Sequence, residues 1–415
     1  MKDQVLLLCN QAKQAKKSIA HLTTYNKNQL LDLVANNILT ASKQILQANQ
    51  LDLTNPELKS ATPALIDRLT LNQQRIDSIV KSILDIIKLP DPINSITYDV
   101  NRENGLNIKR ITVPLGVLLT IYEARPNVTS DVAALAIKSG NVAILRCGSD
   151  SYNTSLAIAK IYQQALLSLN LDPHIVSFCH NKDRNFVQEL LQMSDHIDVV
   201  IPRGGKSLIT AISNNSKIPL FKHLDGNCHI YVHSDADFVK ATKIIINAKL
   251  RRTGICGAAE SLLIDAKIAD SFLPIICKDL QNQNCEIRGD EICQQIYSPI
   301  KPACEQDYYQ EYLDKIISIK VVENIDRAIE WIGKYGSAHT DSIITENQLA
   351  AQQFLQQVDS AIVMHNASTQ FADGGEFGLG AEVGISTGRM HARGPVGLEQ
   401  LTTYKYIVSA ECGLR

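Results

Sequence analysis

A chain of 415 residues is too long for a single hydrophobic core and predicts two or three domains. Its 41 Lys and Arg stand against 43 Asp and Glu, a formal net charge of −2 with no basic tail or stripe, which excludes a nucleic-acid footprint. No apolar run approaches the roughly eighteen residues of a membrane span, and the ten cysteines show no CxxC pair and no histidine at zinc spacing, so a reduced cytoplasmic enzyme without a metal site is expected.

The opening segment, MKDQVLLLCNQAKQAKK, lacks the long apolar stretch and small-residue cleavage site of a signal peptide. Residues 1–90 read as helices. Leu30, Leu31, Val34, Ile38, Leu39, Ile45 and Leu46 follow the 3.6 period, as do Ile76, Ile79, Val80, Ile83 and Ile87. The second pattern stops at Leu89-Pro90-Asp91-Pro92, where a helix cannot continue. Ile96, Tyr98 and Val100 alternate, and Asn104-Gly105 supplies a turn, so residues 93–112 predict a projecting hairpin of the kind used for oligomer contact.

From residue 113 onwards, strand-like runs alternate with helical ones. Val117–Tyr122, Val142–Leu145, Ile175–Phe178 and Val199–Ile201 read as strands, with helices over about Thr129–Ser139 and Ser155–Leu169. That alternation predicts a parallel, doubly wound sheet, whose ligands bind at the carboxyl ends of its strands. Two of those ends carry polar glycine-bearing turns, Arg146–Ser149 and Arg203–Ser207. They form a candidate adenosine and pyrophosphate site, with neither a GxGxxG nor a P-loop spacing. A second unit begins near Asp225, with a strand at Ile230–Val232 and a helix at Asp237–Asn247.

That helix leads into KLRRTGICGAAESLLI, where Cys256 stands between Gly254 and Gly257 behind Arg251 and Arg252. Glycines on both sides let a carbonyl approach the thiol. A helix opening at Gly257–Ser261 would aim its first amides at a thiolate. Beyond it come a strand at Ile316–Val322, a helix at Asp326–Tyr335 ended by Gly336, and a strand at Ile343–Ile344. The glycine-rich block Phe371–Glu399 reads as loops approaching a ligand, with donors from Ser386, Thr387, Arg389, His391 and Arg393. The tail Leu398–Val408 reads as a terminal strand.

Several blocks together resemble the glutamyl phosphate reductase family of the aldehyde dehydrogenase superfamily. They are Val113–Val128 (VPLGVLLTIYEARPNV), Lys138–Ser149 (KSGNVAILRCGS), Ile201–Leu208 (IPRGGKSL), His223–Val232 (HLDGNCHIYV), the Cys256 stretch and Phe371–Lys405. They cover about 300 residues in the family's order. Thr253 and Gly257 depart from the Pro and Asn of many relatives. The resemblance implies an aldehyde-dehydrogenase-like α/β fold in three parts. These are a doubly wound Rossmann-type NADPH-binding domain over 1–98 and 113–225, an α/β catalytic domain over 226–390, and a small β oligomerisation flap over 99–112 and 396–415.

It further implies NADPH-dependent reduction of L-glutamyl 5-phosphate to glutamate 5-semialdehyde and phosphate, in proline biosynthesis. Cys256 matches the family nucleophile and Asn127 the oxyanion-hole asparagine. Glu311 matches the glutamate that holds the nicotinamide ribose, and Arg146 and Ser149 match positions that contact the adenosine ribose. Gly204 and Gly205 complete the expected cofactor set. For an anionic substrate, Arg125, Arg251, Arg389, His391 and Arg393 are the cationic contacts on offer, with Arg389 and Arg393 the first choices. Arg125 fits a buried structural ion pair equally well.

His223 or Leu224 falls where hydrolytic relatives place a water-activating glutamate, consistent with an acyl phosphate substrate. His223 is either a proton handler or a structural histidine. Two competing functions are a hydrolytic or CoA-acylating dehydrogenase, which would need that glutamate or CoA, and a nucleotide-binding scaffold, which would have lost Cys256 or Asn127. A homo-oligomer and association with glutamate 5-kinase are the expected partnerships.

Overall fold

The computed structural model describes residues 1–56, 58, 61–222 and 224–414, so the expectation on His223 lies outside the described residues. The chain divides into two units, Met1–Lys222 with Gly378–Gly384 and Pro395–Arg415, and His223–Phe377 with Ile385–Gly394.

The first unit opens on the helices Lys2–Ile19, Thr24–Thr40, Ser42–Leu53, Pro63–Leu69 and Gln73–Lys88. The last buries Ile76, Ile79, Val80, Ile83 and Ile86 along one face, starts on the Asn72 side chain and stops before Pro90. Beyond these helices the strands Val176–Phe178, Val142–Cys147, Val117–Tyr122 and Val199–Arg203 lie side by side in that order, all parallel. In chain order this is third, second, first, fourth, the half-Rossmann sequence. Its direction reverses between the first strand and the fourth. Val117–Tyr122 and Val142–Cys147 are buried at every position, as strands covered on both faces must be. The crossover helices Asn127–Lys138 and Tyr152–Ser168 follow the first and second strands. The buried Asp52 carboxylate caps the second of these helices, accepting from the Asn153 and Thr154 amides at 2.9 and 2.8 Å.

The predicted hairpin is present as Ile96–Asn101 paired with Asn107–Pro114. Its turn places Glu103 and Asn104 at the centre, with the Gly105 amide bonding Arg102 O at 3.0 Å. Gly105 sits at φ +82°, so the glycine supplies the left-handed bulge. The terminal strand Thr402–Ser409 adds to the hairpin antiparallel, from Thr402 opposite Pro114 to Ser409 opposite Asn107. Tyr404, Tyr406, Ile407 and Val408 on this edge strand are exposed.

The second unit is built on a seven-stranded parallel sheet. Its order is Lys301–Pro302, Glu286–Gly289, Ile316–Val322, Ala259–Asp265, Cys228–Val232, Thr340–Ile344 and Ile362–His365. Alternate strand residues feed two cores. Ile230, Val232, Leu262 and Ile264 pack with the helices Phe238–Leu250 and Ala266–Asn282 on one face. Tyr231, Leu263 and Ile343 pack with Ile325–Tyr335 and Gln348–Gln357 on the other. This is a three-layer α/β/α unit. Among the described residues no helix is long and apolar enough to cross a membrane.

One local expectation is corrected here. Gly257–Ser261 does not open a helix: Ala259–Asp265 is a strand, buried throughout and paired with both Cys228–Val232 and Ile316–Val322. Ala-Ala-Glu is helix-forming in isolation, but two ladders of hydrogen bonds and burial on both faces override that preference. The Cys256 thiol therefore sits in a turn at the entrance to a strand, without helix amides behind it.

Candidate active site

In the second unit the Cys256 turn is held on several sides. An α-substituent on Gly226 would lie 2.0 Å from Cys256 O and 2.7 Å from its Cα, so only glycine lets that backbone pass. The buried Cys228 thiol lies 3.1 Å from the same carbonyl and donates to it, and burial pushes that thiol's pKa well up. A Cβ added at Gly257 would lie 3.0 Å from Thr369 O. The Cys256 side chain is half-buried and packs on a small cluster of Ile362, Met364, Ala372 and Ile385.

Both ends of the turn are tied down. The Gln370 amide donates to Ala248 O at 2.7 Å, and its oxygen accepts from Arg251 Nε at 2.9 Å. Lys249 and Glu260 form a wholly buried ion pair across the base. Burial raises the Glu260 carboxyl pKa and Lys249 pulls it back. Glu311, expected at the nicotinamide ribose, accepts from the Gly226 amide at 2.9 Å and so stands beside the Cys256 turn.

Arg389 and Arg393, the first choices for substrate, converge on one carboxylate. Arg389 Nη2 pairs with Asp359 Oδ2, while Arg393 bonds Asp359 Oδ1 at 2.6 Å and Asp359 O at 2.8 Å. Arg393 first, then Arg389, holds the Asp359 carboxyl below its ordinary range. His391 is exposed on the same loop.

In the first unit the carboxyl ends of the parallel strands gather the remaining residues. Glu123 follows the first strand, and its amide bonds Arg203 O at 3.0 Å across the point where strand order reverses. Arg125, half-buried, and Asn127 follow it. Asn127 opens its helix and donates through Nδ2 to Asp131 Oδ2 at 3.0 Å, the i,i+4 neighbour. Burial pushes the Asp131 carboxyl up to about 6, against the hydrogen bonds of Asn127 and Ser82.

Arg146, expected in a turn, instead lies at the end of the second strand, 8% exposed; it donates through Nη2 to Lys182 O at 3.0 Å, while its buried Nε has no partner among the described residues. Ser149 opens the following turn and is exposed. After the fourth strand, a Cβ on Gly204 would meet Glu123 Oε2 at 2.8 Å, whereas one on Gly205 would meet nothing within 4 Å. Gly205 is the N-cap of helix Lys206–Asn215 and has no side chain to cap it with, but its amide bonds the Glu123 carboxylate. Burial, then repulsion from Asp150, raises the Glu123 carboxyl pKa.

The structure thus groups Arg125, Asn127, Arg146, Ser149, Gly204 and Gly205 at one sheet edge of the first unit. Within the second unit, Cys256 stands with Glu311, and Arg389 with Arg393. Sequence reasoning passed over Lys249, Glu260, Gln370, Asp131 and Asp359. Glu260, a lone charge in the run Ala258–Ile264, and Asp131, four residues after Asn127, carried a readable signal.

A half-Rossmann sheet with open glycine ends, together with a glycine-lined cysteine turn on a second parallel sheet, defines a class of nucleotide-dependent enzymes with a thiol. The aldehyde dehydrogenase family model matches residues 1–314. The gamma-glutamyl phosphate reductase of Dictyoglomus turgidum is 49% identical over 97% of this chain and 97% of its own. The crystal structure of gamma-glutamyl phosphate reductase from Thermotoga maritima superposes with a TM-score of 0.96 at 44% identity, covering 99% of each chain. An engineered glycolyl-CoA reductase with bound NADP+ shares the fold, with a TM-score of 0.70 at 14% identity over 98% of this chain and 97% of its own. The chain belongs to the aldehyde dehydrogenase family and, within it, to the gamma-glutamyl phosphate reductases.

Proposed function

We propose that the chain reduces L-glutamyl 5-phosphate to L-glutamate 5-semialdehyde and phosphate with NADPH, the second step of proline biosynthesis from glutamate. The Cys256 thiolate attacks the acyl carbon, a C–S bond forms, and the C–O bond to phosphate breaks. Asn127 Nδ2–H and the Cys256 amide donate to the oxygen that gains charge. Bound NADPH supplies the hydride that reduces the thioester. Collapse of the resulting thiohemiacetal expels the Cys256 thiolate and frees the aldehyde.

The residues at the first unit's sheet edge suit a dinucleotide. The start of helix Lys206–Asn215 leaves open space beside Gly205 for a pyrophosphate, which would compete with Glu123 for the Gly205 amide, and Arg146 has a buried N–H to spare beside the ribose position. Glu311 is assigned to the nicotinamide ribose, and Ser149 and Gly204 to the adenosine side. Arg125, Arg389, His391 and Arg393 are assigned to the anionic groups of the substrate. An anion reaching Arg389 and Arg393 competes with Asp359 for them. The exposed edge strand Thr402–Ser409 is the surface assigned to self-association in a cytoplasmic homo-oligomer.

The observation that carries this reading is Cys256 itself. Seven other cysteines are buried and two are exposed, while Cys256 is half-buried in a turn that only glycine at position 226 permits. The test is the reverse reaction with glutamate 5-semialdehyde, phosphate and NADP+. Phosphate-dependent turnover, abolished in Cys256→Ala, is expected, with at most one equivalent of NADPH per chain formed in its absence. Turnover at full rate without phosphate would make water the acceptor and sink the proposal.

A further inference from the structure

We infer that Lys249 and Glu260 are a positioning pair that keeps the Cys256 turn in register with the segment carrying Glu311. The inference deepens the reading of Cys256 as nucleophile and Glu311 as cofactor contact, and rests on it. Both side chains are 0% exposed and bonded to one another. Lys249 lies in the last turn of helix Phe238–Leu250, and Glu260 is the second residue of strand Ala259–Asp265. Their bond closes the loop that holds Cys256.

The other oxygen of Glu260 reaches elsewhere. Glu260 Oε1 accepts from the Leu313 amide at 3.2 Å. Leu313 is fixed in the left-handed region, at φ +54°, two positions beyond Glu311. Glu311 in turn accepts from the Gly226 amide, and the Gly226 backbone lies against the Cys256 backbone. The contacts run in a ring, from the Cys256 turn through Glu260, the 311–313 segment and Gly226 back to Cys256.

Stability alone does not call for charges here. A buried ion pair loses hydration that its own attraction barely returns, and apolar residues of similar volume serve a core as well or better. What an apolar pair lacks is a group with two acceptors facing two different elements. A carboxylate supplies both, and the Lys249 ammonium beside it offsets part of the cost of burying it.

The test compares two double variants, because removing one partner alone leaves an uncompensated buried charge and endangers folding. Lys249→Met with Glu260→Gln removes both charges but keeps a side-chain oxygen for the Leu313 amide. Lys249→Met with Glu260→Leu removes that acceptor too. Thermal melting checks that both fold. In the Leu double variant, phosphate-dependent kcat falls about 10²-fold, the scale of a misplaced reacting group. Its Kd for NADPH, read from the cofactor's own fluorescence, rises severalfold. The Gln double variant, which keeps the Leu313 contact but loses the Lys249 bond, recovers part of both.

Equal kcat and equal Kd in the two variants, at equal melting temperature, would overturn the pair's positioning role. The Kd does not depend on turnover. A wild-type protein that binds NADPH yet shows no phosphate-dependent reaction would therefore contradict the proposed function, while the difference in Kd would still decide the role of the pair.

Discussion

The sheet edge of the first unit and the cysteine turn of the second are made in opposite ways. At the first, groups are left wanting: open space beside the N-cap Gly205, an Arg146 Nε without a partner among the described residues, and a Glu123 carboxyl raised by burial beside Asp150. At the second, each side of the turn is already engaged, by Gly226, Cys228, Thr369, Gln370 and the Lys249–Glu260 pair. On the proposed function the contrast has a physical reason. Open donors are completed by a ligand that comes and goes. A nucleophile must not move, because a small displacement of a reacting atom costs far more rate than a loosened binding contact.

Perturbing the fixed turn should therefore cost the most. Cys256→Ala should lower turnover by on the order of 10⁴-fold or more with little change in melting temperature, measured in the phosphate-dependent assay. Gly226→Ala should come next. Its methyl group has no room beside Cys256 O, so kcat should fall about 10²-fold and stability by about 1–3 kcal/mol, read by denaturant unfolding. Asn127→Ala, which removes one donor without disturbing the turn, should lower kcat by about 10²–10³-fold and leave Kd for NADPH almost unchanged.

Perturbing the receptive edge should instead separate binding from rate. Gly205→Asp puts a carboxylate at the N-cap of helix Lys206–Asn215, where nothing lies within 4 Å of a new Cβ. It should raise KM for NADPH about tenfold by repelling phosphate, with kcat nearly unchanged and no gain in stability, because Glu123 already accepts from the Gly205 amide. A loss of kcat matching the rise in KM would blur the contrast between the two regions.

The smallest expected effect is one of pH. The folded-state Asp131 carboxyl is raised to about 6 from the ordinary 3.8, so the folded chain holds this proton more tightly than the unfolded one. The stability it contributes is full below the unfolded value and is lost as pH rises through about 6. Asp131→Asn should flatten the fall in stability between pH 4 and 6, measured by unfolding at each pH.

Much of this was legible in the sequence, and the exceptions have physical causes. Val117–Tyr122 and Val142–Leu145 were readable because strands buried on both faces are continuous apolar runs, whereas Arg146 and Cys147, which continue the second strand, were hidden by the charge that breaks the run. The hairpin was readable from alternation and Asn104-Gly105. The helix expected at Gly257–Ser261 failed because its strand character comes from neighbours distant in sequence, above all Ile316–Val322. Cys256 stood out through its glycines, but what holds it did not. Gln370 is a polar residue in a loop until the fold brings it to Arg251, and Asp359 gives no hint that two arginines meet on it.

The central claim is that the thiol held in this turn carries the acyl group. Protein mixed with glutamate 5-semialdehyde and NADP+ without phosphate, then quenched in acid, should carry a glutamyl group on the Cys256 peptide by mass spectrometry. Phosphate added before the quench should remove it. An unmodified Cys256 peptide alongside a full burst of NADPH, or the adduct on another cysteine, would contradict the account.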